Sequence, residues 1–453
     1  MSSGGKKLPQ YIAAVCICIG AWGTGTAISW TSNITNDLKD GKLNDIKMGD
    51  DEIGWVGSLM TLGAMCMCFP IGWIADLIGR KPTVLLTIIP FTIGWLMILF
   101  GSNIVMIYIA RFLIGLAGGG FCVMAPMYTS EIAETDIRGT LGTFFQLFIT
   151  IGILYCGVLG YLLALTAFNV ACLVIPIIFG VLFVFQPESP RYDLIKGRTD
   201  KAENAYKRLR GKDYDYSGEM KALTADIETE AKLPGFLESM KTKAAKKSTL
   251  ICFALMFYQQ LSGINAVMFY SQEIFRSAGS TLKDSYCTIS IQVIQVIATL
   301  VASWAVEKFG RKILLMISAF FMALSTGLLG LFFSLKDREL IDDVSSIGFI
   351  PIISLNVFII AFSLGFGPIP WLASSEMFSP EIKSKCSSAA ATFNWFLAFI
   401  VTKFYFIFAS NLGADVTFYI FTIISATAVV FVLIVVPETK GKTFAEIQAE
   451  LGS

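Results

Sequence analysis

Asp76-Leu77-Ile78-Gly79-Arg80-Lys81 closes one apolar window of this chain, and Glu307-Lys308-Phe309-Gly310-Arg311-Lys312 closes another, 231 residues later. Two more pairs keep the same order. Glu131 with Arg138 seven residues on recurs as Glu376 with Lys383 seven on, at an offset of 245. Pro187-Glu188-Ser189 recurs as Pro437-Glu438-Thr439, at an offset of 250. Three ordered echoes at nearly one offset make the chain two parallel repeats, the arrangement of many secondary transporters. Working outward, a membrane span needs about 20 mostly apolar residues. Twelve windows qualify: 11–33, 53–75, 83–101, 105–127, 140–163, 166–186, 248–275, 284–306, 313–335, 347–373, 386–411 and 414–436. The echoes fall after windows 2, 4 and 6 and again after 8, 10 and 12. The predicted fold is therefore an all-α polytopic membrane protein of twelve transmembrane helices in two pseudo-symmetric six-helix halves. The halves are 1–186 and 248–436, joined by a linker at 187–247 and followed by a tail at 437–453.

Composition agrees. Of 453 residues, 55% are apolar and 15% charged, against about 25% charged in a soluble domain. Residues 187–247 hold 25 of the 69 charges, so the linker is a soluble island. Net charge is +1, which offers nucleic acid no basic field. The chain has no histidine, so Ser–His and Cys–His catalysis and histidine relays are excluded. The ten cysteines lie mostly inside apolar windows and read as small packing residues, not a disulfide framework. No span holds a nucleophile–base pair or a metal-ligand cluster, so an enzyme, a metal site and a cofactor are not expected.

With twelve spans both ends share a side. Placing Lys and Arg there gives 26 against 7 on the other side, and 12 against 7 without the linker. The termini are predicted to be cytoplasmic. Asn33-Ile34-Thr35 is the one N-x-[ST] sequence, placed in the first external loop and so a candidate glycosylation site. Within the linker, Asp200 and Glu203 resemble a capping pair opening a helix that Gly211 closes. Ser217 opens a second, with Met220, Leu223 and Ile227 on one side. Residues 235–247 read either as an inner-leaflet helix or as a solvated basic linker.

The motifs together resemble the sugar porter family of the major facilitator superfamily. They are the two Gly-Arg-Lys triplets, Arg111 with Gly115 and Gly118-Gly119-Gly120, and Glu131…Arg138-Gly139. To these add Pro187-Glu188-Ser189-Pro190-Arg191, Gln259-Gln260-Leu261-Ser262-Gly263-Ile264-Asn265, Gly367-Pro368-Ile369-Pro370-Trp371 and Pro437-Glu438-Thr439-Lys440-Gly441. The likeness runs from about 11 to 447. The Trp30-Thr31-Ser32 ending of span 1 resembles the insect trehalose-transporter branch more than the mammalian hexose carriers. The resemblance implies the major facilitator fold and a set of sugar ligands: Gln146, Gln259, Gln260, Asn265, Gln295 (where the family commonly has Asn), Trp371 and Asn394. The chemistry is apt, because a neutral polyol needs groups that both donate and accept, and an aromatic face for its C–H side. Helix-to-helix glue is the other reading of each amide. On an ideal helix Gln259 and Asn265 stand about 240° apart, so they converge only if span 7 loosens, which Gly263 permits.

Phe269 and Tyr270 are read as an outer lid or as core packing. Gly367, Pro368 and Pro370 interrupt span 10 beside Trp371, as a hinge or a static kink. By resemblance Asp76, Arg80, Glu131, Arg138, Glu307, Arg311, Glu376 and Lys383 form an inner gate that locks the outward-facing state. Lys383 replaces the usual Arg and loses its fork. Arg111, inside span 4, needs a partner or an aqueous crevice, and Lys403 is expected to snorkel outward. Two departures are Tyr192-Asp193 after Arg191, where the family has apolar residues, and Ser363, where many hexose carriers have Glu. Function is expected to be facilitative transport of a sugar, trehalose or a hexose such as glucose, across the plasma membrane by alternating access. Proton-coupled members carry an Asp in span 1, where this chain has Gly23-Thr24-Gly25-Thr26. A proton symporter and a transporter-like sensor are the alternatives; the short tail after span 12 argues against the sensor. The expected partners are a small sugar and membrane lipid, with no nucleic acid and no obligate protein.

Overall fold

The computed structural model describes residues 6–230, 232–279, 283–338, 347–442 and 444–452. In the first half, α1 (Leu8–Lys39) is followed by α2 (Asp50–Cys68) and α3 (Pro70–Ile78), one span bent by 46° where Pro70 interrupts it. Next come α4 (Arg80–Leu86) and α5 (Ile88–Phe100), two pieces of the third span, then α6 (Ile104–Ile132), α7 (Thr135–Leu162) and α8 (Leu165–Phe183). Four short helices cross the middle: α9 (Pro190–Ile195), α10 (Thr199–Arg210), α11 (Ser217–Glu230) and α12 (Phe236–Ser239). The second half repeats the first. It runs through α13 (Lys243–Leu261) with α14 (Ile264–Ala278), α15 (Asp284–Phe309), α16 (Arg311–Asp337), α17 (Ile350–Leu364) with α18 (Ile369–Met377), α19 (Pro380–Asn411) and α20 (Ala414–Val435). A last helix, α21 (Phe444–Gly452), follows. Eleven long apolar helices and the bent pair make twelve spans. Several boundaries move: α1 runs six residues past its expected end, α6 runs five past 127, and α19 starts six before 386.

The spans are apolar on every side, as a bilayer requires. Outward-facing Val170, Val174, Ile177 and Val181 of α8, with Ile423, Val430, Leu433 and Ile434 of α20, are exposed on the protein surface, where lipid would cover them. Inside each half, small residues bring backbones together. On α6 a Cβ at Gly115 would lie 2.0 Å from the Met60 carbonyl oxygen, and one at Gly119 2.3 Å from that of Ala64. Only glycine allows that approach of α6 to α2. The same contact sites Arg111, which is fully buried. Its guanidinium donates to the carbonyls of Val56 and Ala27 at 3.0 Å each and to Thr31 Oγ1 at 3.1 Å, and lies 5.0 Å from the Trp30 ring. It finds a protein cage and needs no crevice.

The linker helices follow the sequence pattern closely. Gly211 (φ +104°) ends α10, and Met220, Leu223 and Ile227 are the half-buried side of α11. The Asp200–Glu203 capping pair does not form: α10 starts at Thr199 without a side-chain cap. Arg210 fastens this segment to the first half, donating to the Ile132 carbonyl at 2.8 Å and pairing with Glu134 at 3.2 Å and Glu219 at 3.1 Å. In α12, Phe236 packs against the second half, as does Met240 just beyond it, while Leu237 points outward.

Candidate functional site

Span 7 breaks at Gly263, whose φ of +93° is open to glycine at little cost and joins α13 to α14. The break turns Asn265 back toward Gln260, and a chain of amides results. Asn265 Nδ2 donates to Gln260 Oε1, and Gln260 Nε2 to Asn394 Oδ1 at 2.7 Å. Asn394 Nδ2 donates to Gln259 Oε1 at 2.6 Å, and Gln259 Nε2 to the carbonyls of Phe366 and Gly367 at 2.7 and 2.9 Å. Those carbonyls are free because span 10 is interrupted between Leu364 and Ile369, around Gly367 and Pro368 and just before Pro370. The chain thus links spans 7, 10 and 11, and all four amide residues are at most 9% exposed. Every group in it is neutral and able to reverse its bonds toward a hydroxyl.

The other predicted ligands stand apart from this chain. Gln295, 4% exposed on α15, has a side-chain carbonyl with no donor. Gln146 is half-buried on α7 and Trp371 half-buried on α18; neither makes a side-chain hydrogen bond among the described residues. The two lid residues are wholly buried. Tyr270 donates to the Thr402 carbonyl at 2.8 Å and stacks on Tyr405 with ring centroids 5.4 Å apart. A Cβ at Gly57 of α2 would lie 2.5 Å from its hydroxyl and 3.4 Å from the Phe269 ring, so both rings lie against the first half.

On the face that carries both termini, each half holds its own charge cluster. Arg80 forks onto Glu131 at 3.0 Å and reaches Asp76 at 2.9 Å. Arg311 reaches Glu376 at 2.9 Å and Glu307 at 3.2 Å. Both clusters close within their own half. Among the described residues, Arg138 reaches the Ala133 carbonyl at 3.4 Å and Lys383 is in no ion pair. Two further members were missed in the sequence. Glu188 accepts from the backbone N–H groups of Arg80 and Lys81 at 3.1 and 3.2 Å, and Glu438 from those of Arg311 and Lys312 at 3.0 Å each. Each carboxylate caps the helix of the span that begins at the Arg. Burial pushes the Glu188 carboxyl up; at Glu438 the backbone N–H bonds overcome burial and hold it down. Their matching places in the repeat were the available signal. Tyr192, one of the departures, donates to the Leu77 carbonyl at 3.1 Å and lies 5.4 Å from the Arg80 guanidinium.

At the opposite face the halves are joined. Lys403 does not snorkel: it is 7% exposed, pairs with Asp51 of α2 at 2.5 Å and covers the Trp55 ring at 4.3 Å. Lys39 bridges Asp50 at 2.9 Å and Glu273 of α14 at 3.0 Å. Deeper in, Ser32 and Ser271 share a hydrogen bond of 2.7 Å. Asn33 belongs to this joint and not to a loop. It is buried within α1, with its amide nitrogen donating to Ser29 and its oxygen accepting from Gln272 at 3.3 Å. All ten cysteines are free.

Residues 10–451 match the family described as Sugar (and other) transporter. The facilitated trehalose transporter Tret1 of Anopheles gambiae is 37% identical over 445 residues, covering 98% of this chain and 56% of that protein. The Culex quinquefasciatus protein of the same name is 36% identical over 98% of this chain and 86% of its own length. The chain thus spans little more than half of some curated relatives it matches. Among solved structures, the inward open conformation of the xylose transporter XylE from E. coli superimposes with a TM-score of 0.81 over 96% of this chain and 98% of that one. The proton:xylose symporter XylE bound to 6-bromo-6-deoxy-D-glucose does so at 0.77, over 98% and 99%. Both are 22% identical, and the shared feature is the major facilitator fold.

Proposed function

This chain belongs to the sugar transporter family, and on that premise we propose that it is a facilitative carrier of a sugar, trehalose or a hexose such as glucose. It works by alternating access across the plasma membrane, with both termini cytoplasmic. Residues 1–186 and 248–436 are the halves that move, 187–247 is the cytoplasmic linker and 437–453 the tail. The observation that carries the reading is the neutral amide chain from Asn265 through Gln260, Asn394 and Gln259 to the broken span 10. A sugar hydroxyl can enter it by exchanging one amide bond for another, so binding leaves no group unpaired. Gln146, Gln295 and Trp371 complete the site, with Phe269 and Tyr270 as its outer lid and Gly263, Gly367, Pro368 and Pro370 as hinges. The excess of Lys and Arg on the terminal side supports the orientation. The named relatives are trehalose transporters, which supports the sugar class.

The surroundings of Arg111 support passive movement. Its partners are two carbonyls and the Thr31 hydroxyl, none of which titrates, so this buried cation has no carboxylate with which to trade a proton. Uptake of labelled trehalose and glucose into proteoliposomes tests the reading. Saturable entry above that of protein-free vesicles is expected for at least one of them; no entry of either favours a sensor.

A further inference from the structure

Among the described residues, two acceptors on one face of α15 have no donor. The side-chain carbonyls of Gln292 and Gln295 are both buried, in residues 2% and 4% exposed, and neither receives a hydrogen bond. Three residues apart, they line one side of the helix. Buried acceptors without donors are costly and rare, and the missing partner must bring O–H or N–H groups. Gln295 already belongs to the sugar site. Gln292 lies one turn nearer the face opposite the termini and has its own amide neighbourhood. Its Nε2 donates to Ser29 Oγ at 3.0 Å, which also accepts from Asn33 Nδ2 at 3.1 Å. Asn33 in turn accepts from Gln272 at 3.3 Å.

The facing wall, α7, presents mostly backbone there. A Cβ at Gly157 would lie 1.8 Å from Gln292 Oε1, and one at Gly160 would lie 3.1 Å from Asn33 Cβ. Both glycines lie on one side of α7, so Gln292 and Asn33 pack directly on its backbone in this state, beside Cys156, whose Sγ accepts from Asn33 Nδ2 at 3.5 Å. The bonds from Ser29 and Asn33 to Gln292 and Gln272 also cross between the halves. When the halves part on that face, the two glutamines and Asn33 lose partners and can bond something else. All of these groups are neutral, which suits a polyol and gives an ion no counter-charge.

We infer that Gln292, with Ser29, Asn33 and Gln272, forms a second ring subsite beyond Gln295. It takes the second glucosyl unit of a disaccharide whose first ring lies against the amide chain. This rests on the sugar-carrier reading and sharpens it: the preferred substrate has two rings. The test is uptake of labelled trehalose into proteoliposomes, with unlabelled glucose as competitor. Gln292→Leu should raise the KM for trehalose about tenfold, the loss of roughly one hydrogen bond, while the Ki for glucose stays within about twofold. Ser29→Ala, which removes the hydroxyl that holds both Gln292 and Asn33, should shift trehalose in the same selective sense. Gln295→Leu should raise both constants. If Gln292→Leu and Ser29→Ala change both constants alike, or neither, the second subsite is wrong. Wild-type entry of glucose without trehalose also overturns it alone. Entry of neither sugar overturns the carrier reading with it.

Discussion

At the residue scale, the site depends on amides that hold one another. Removing one strands its partners: Gln259→Ala leaves the Phe366 and Gly367 carbonyls and one Asn394 hydrogen without a partner. Gln259→Ala and Asn265→Ala should each weaken sugar binding by about 1–3 kcal/mol at normal expression, read as a rise in KM for sugar uptake. Unchanged affinity in both would put the site elsewhere. Trp371→Leu should lower flux by removing the stacking face. Asn33→Gln should leave electrophoretic mobility unchanged, with or without a glycosidase, because the buried side chain is already hydrogen-bonded. The identities of the amides were plain in the sequence. Their mutual bonding was not, because it depends on the backbone turn at Gly263 and on span 11 lying alongside. Asn33 misled for a related reason: a tripeptide carries no record of how far a helix continues, and α1 runs to Lys39.

At the element scale, breaks and end-caps matter more than the spans themselves. Gly263→Ala would force a side chain into a left-handed backbone with its Cβ 2.6 Å from the Phe421 ring. A cost above about 1 kcal/mol is expected from the backbone alone, measurable as a lower melting temperature in detergent. The two charge clusters were legible as paired echoes, since Arg80 with Glu131 and Arg311 with Glu376 repeat in order. What the echoes could not tell is which conformation holds them, and here each cluster closes on its own half. The joint is at the other face, where Lys403 pairs with Asp51 and Lys39 with Glu273. Lys403→Met removes one of these links and should move the population toward the state open on that face. Because Asp51 is largely exposed, the shift should be modest, about 1 kcal/mol or roughly fivefold. Labelling rates of cysteines placed at that mouth would report it, and an unchanged rate would show that the pair does not hold the halves.

At the scale of the whole molecule, a twelve-span body with twofold internal repetition was legible from three short echoes and the apolar windows, because span length and repeat order are fixed by the bilayer and by chain topology. The state of the machine was not, since both states use the same sequence. The proposed passive carrier moves sugar down its gradient and nothing else with it. No histidine is present, the Gly23–Thr26 stretch of span 1 carries no carboxylate, and Arg111 is satisfied by carbonyls and a hydroxyl. Among the described residues, the Gly23–Thr26 stretch, the Arg111 cage and the amide chain therefore offer no group that gains and loses a proton near neutral pH. The direct measurement is labelled sugar uptake into proteoliposomes with an imposed pH gradient, acidic outside. Passive carriage predicts that sugar stops at equal concentrations on both sides, with or without the gradient. Accumulation above the external concentration that collapses on adding a protonophore would contradict it.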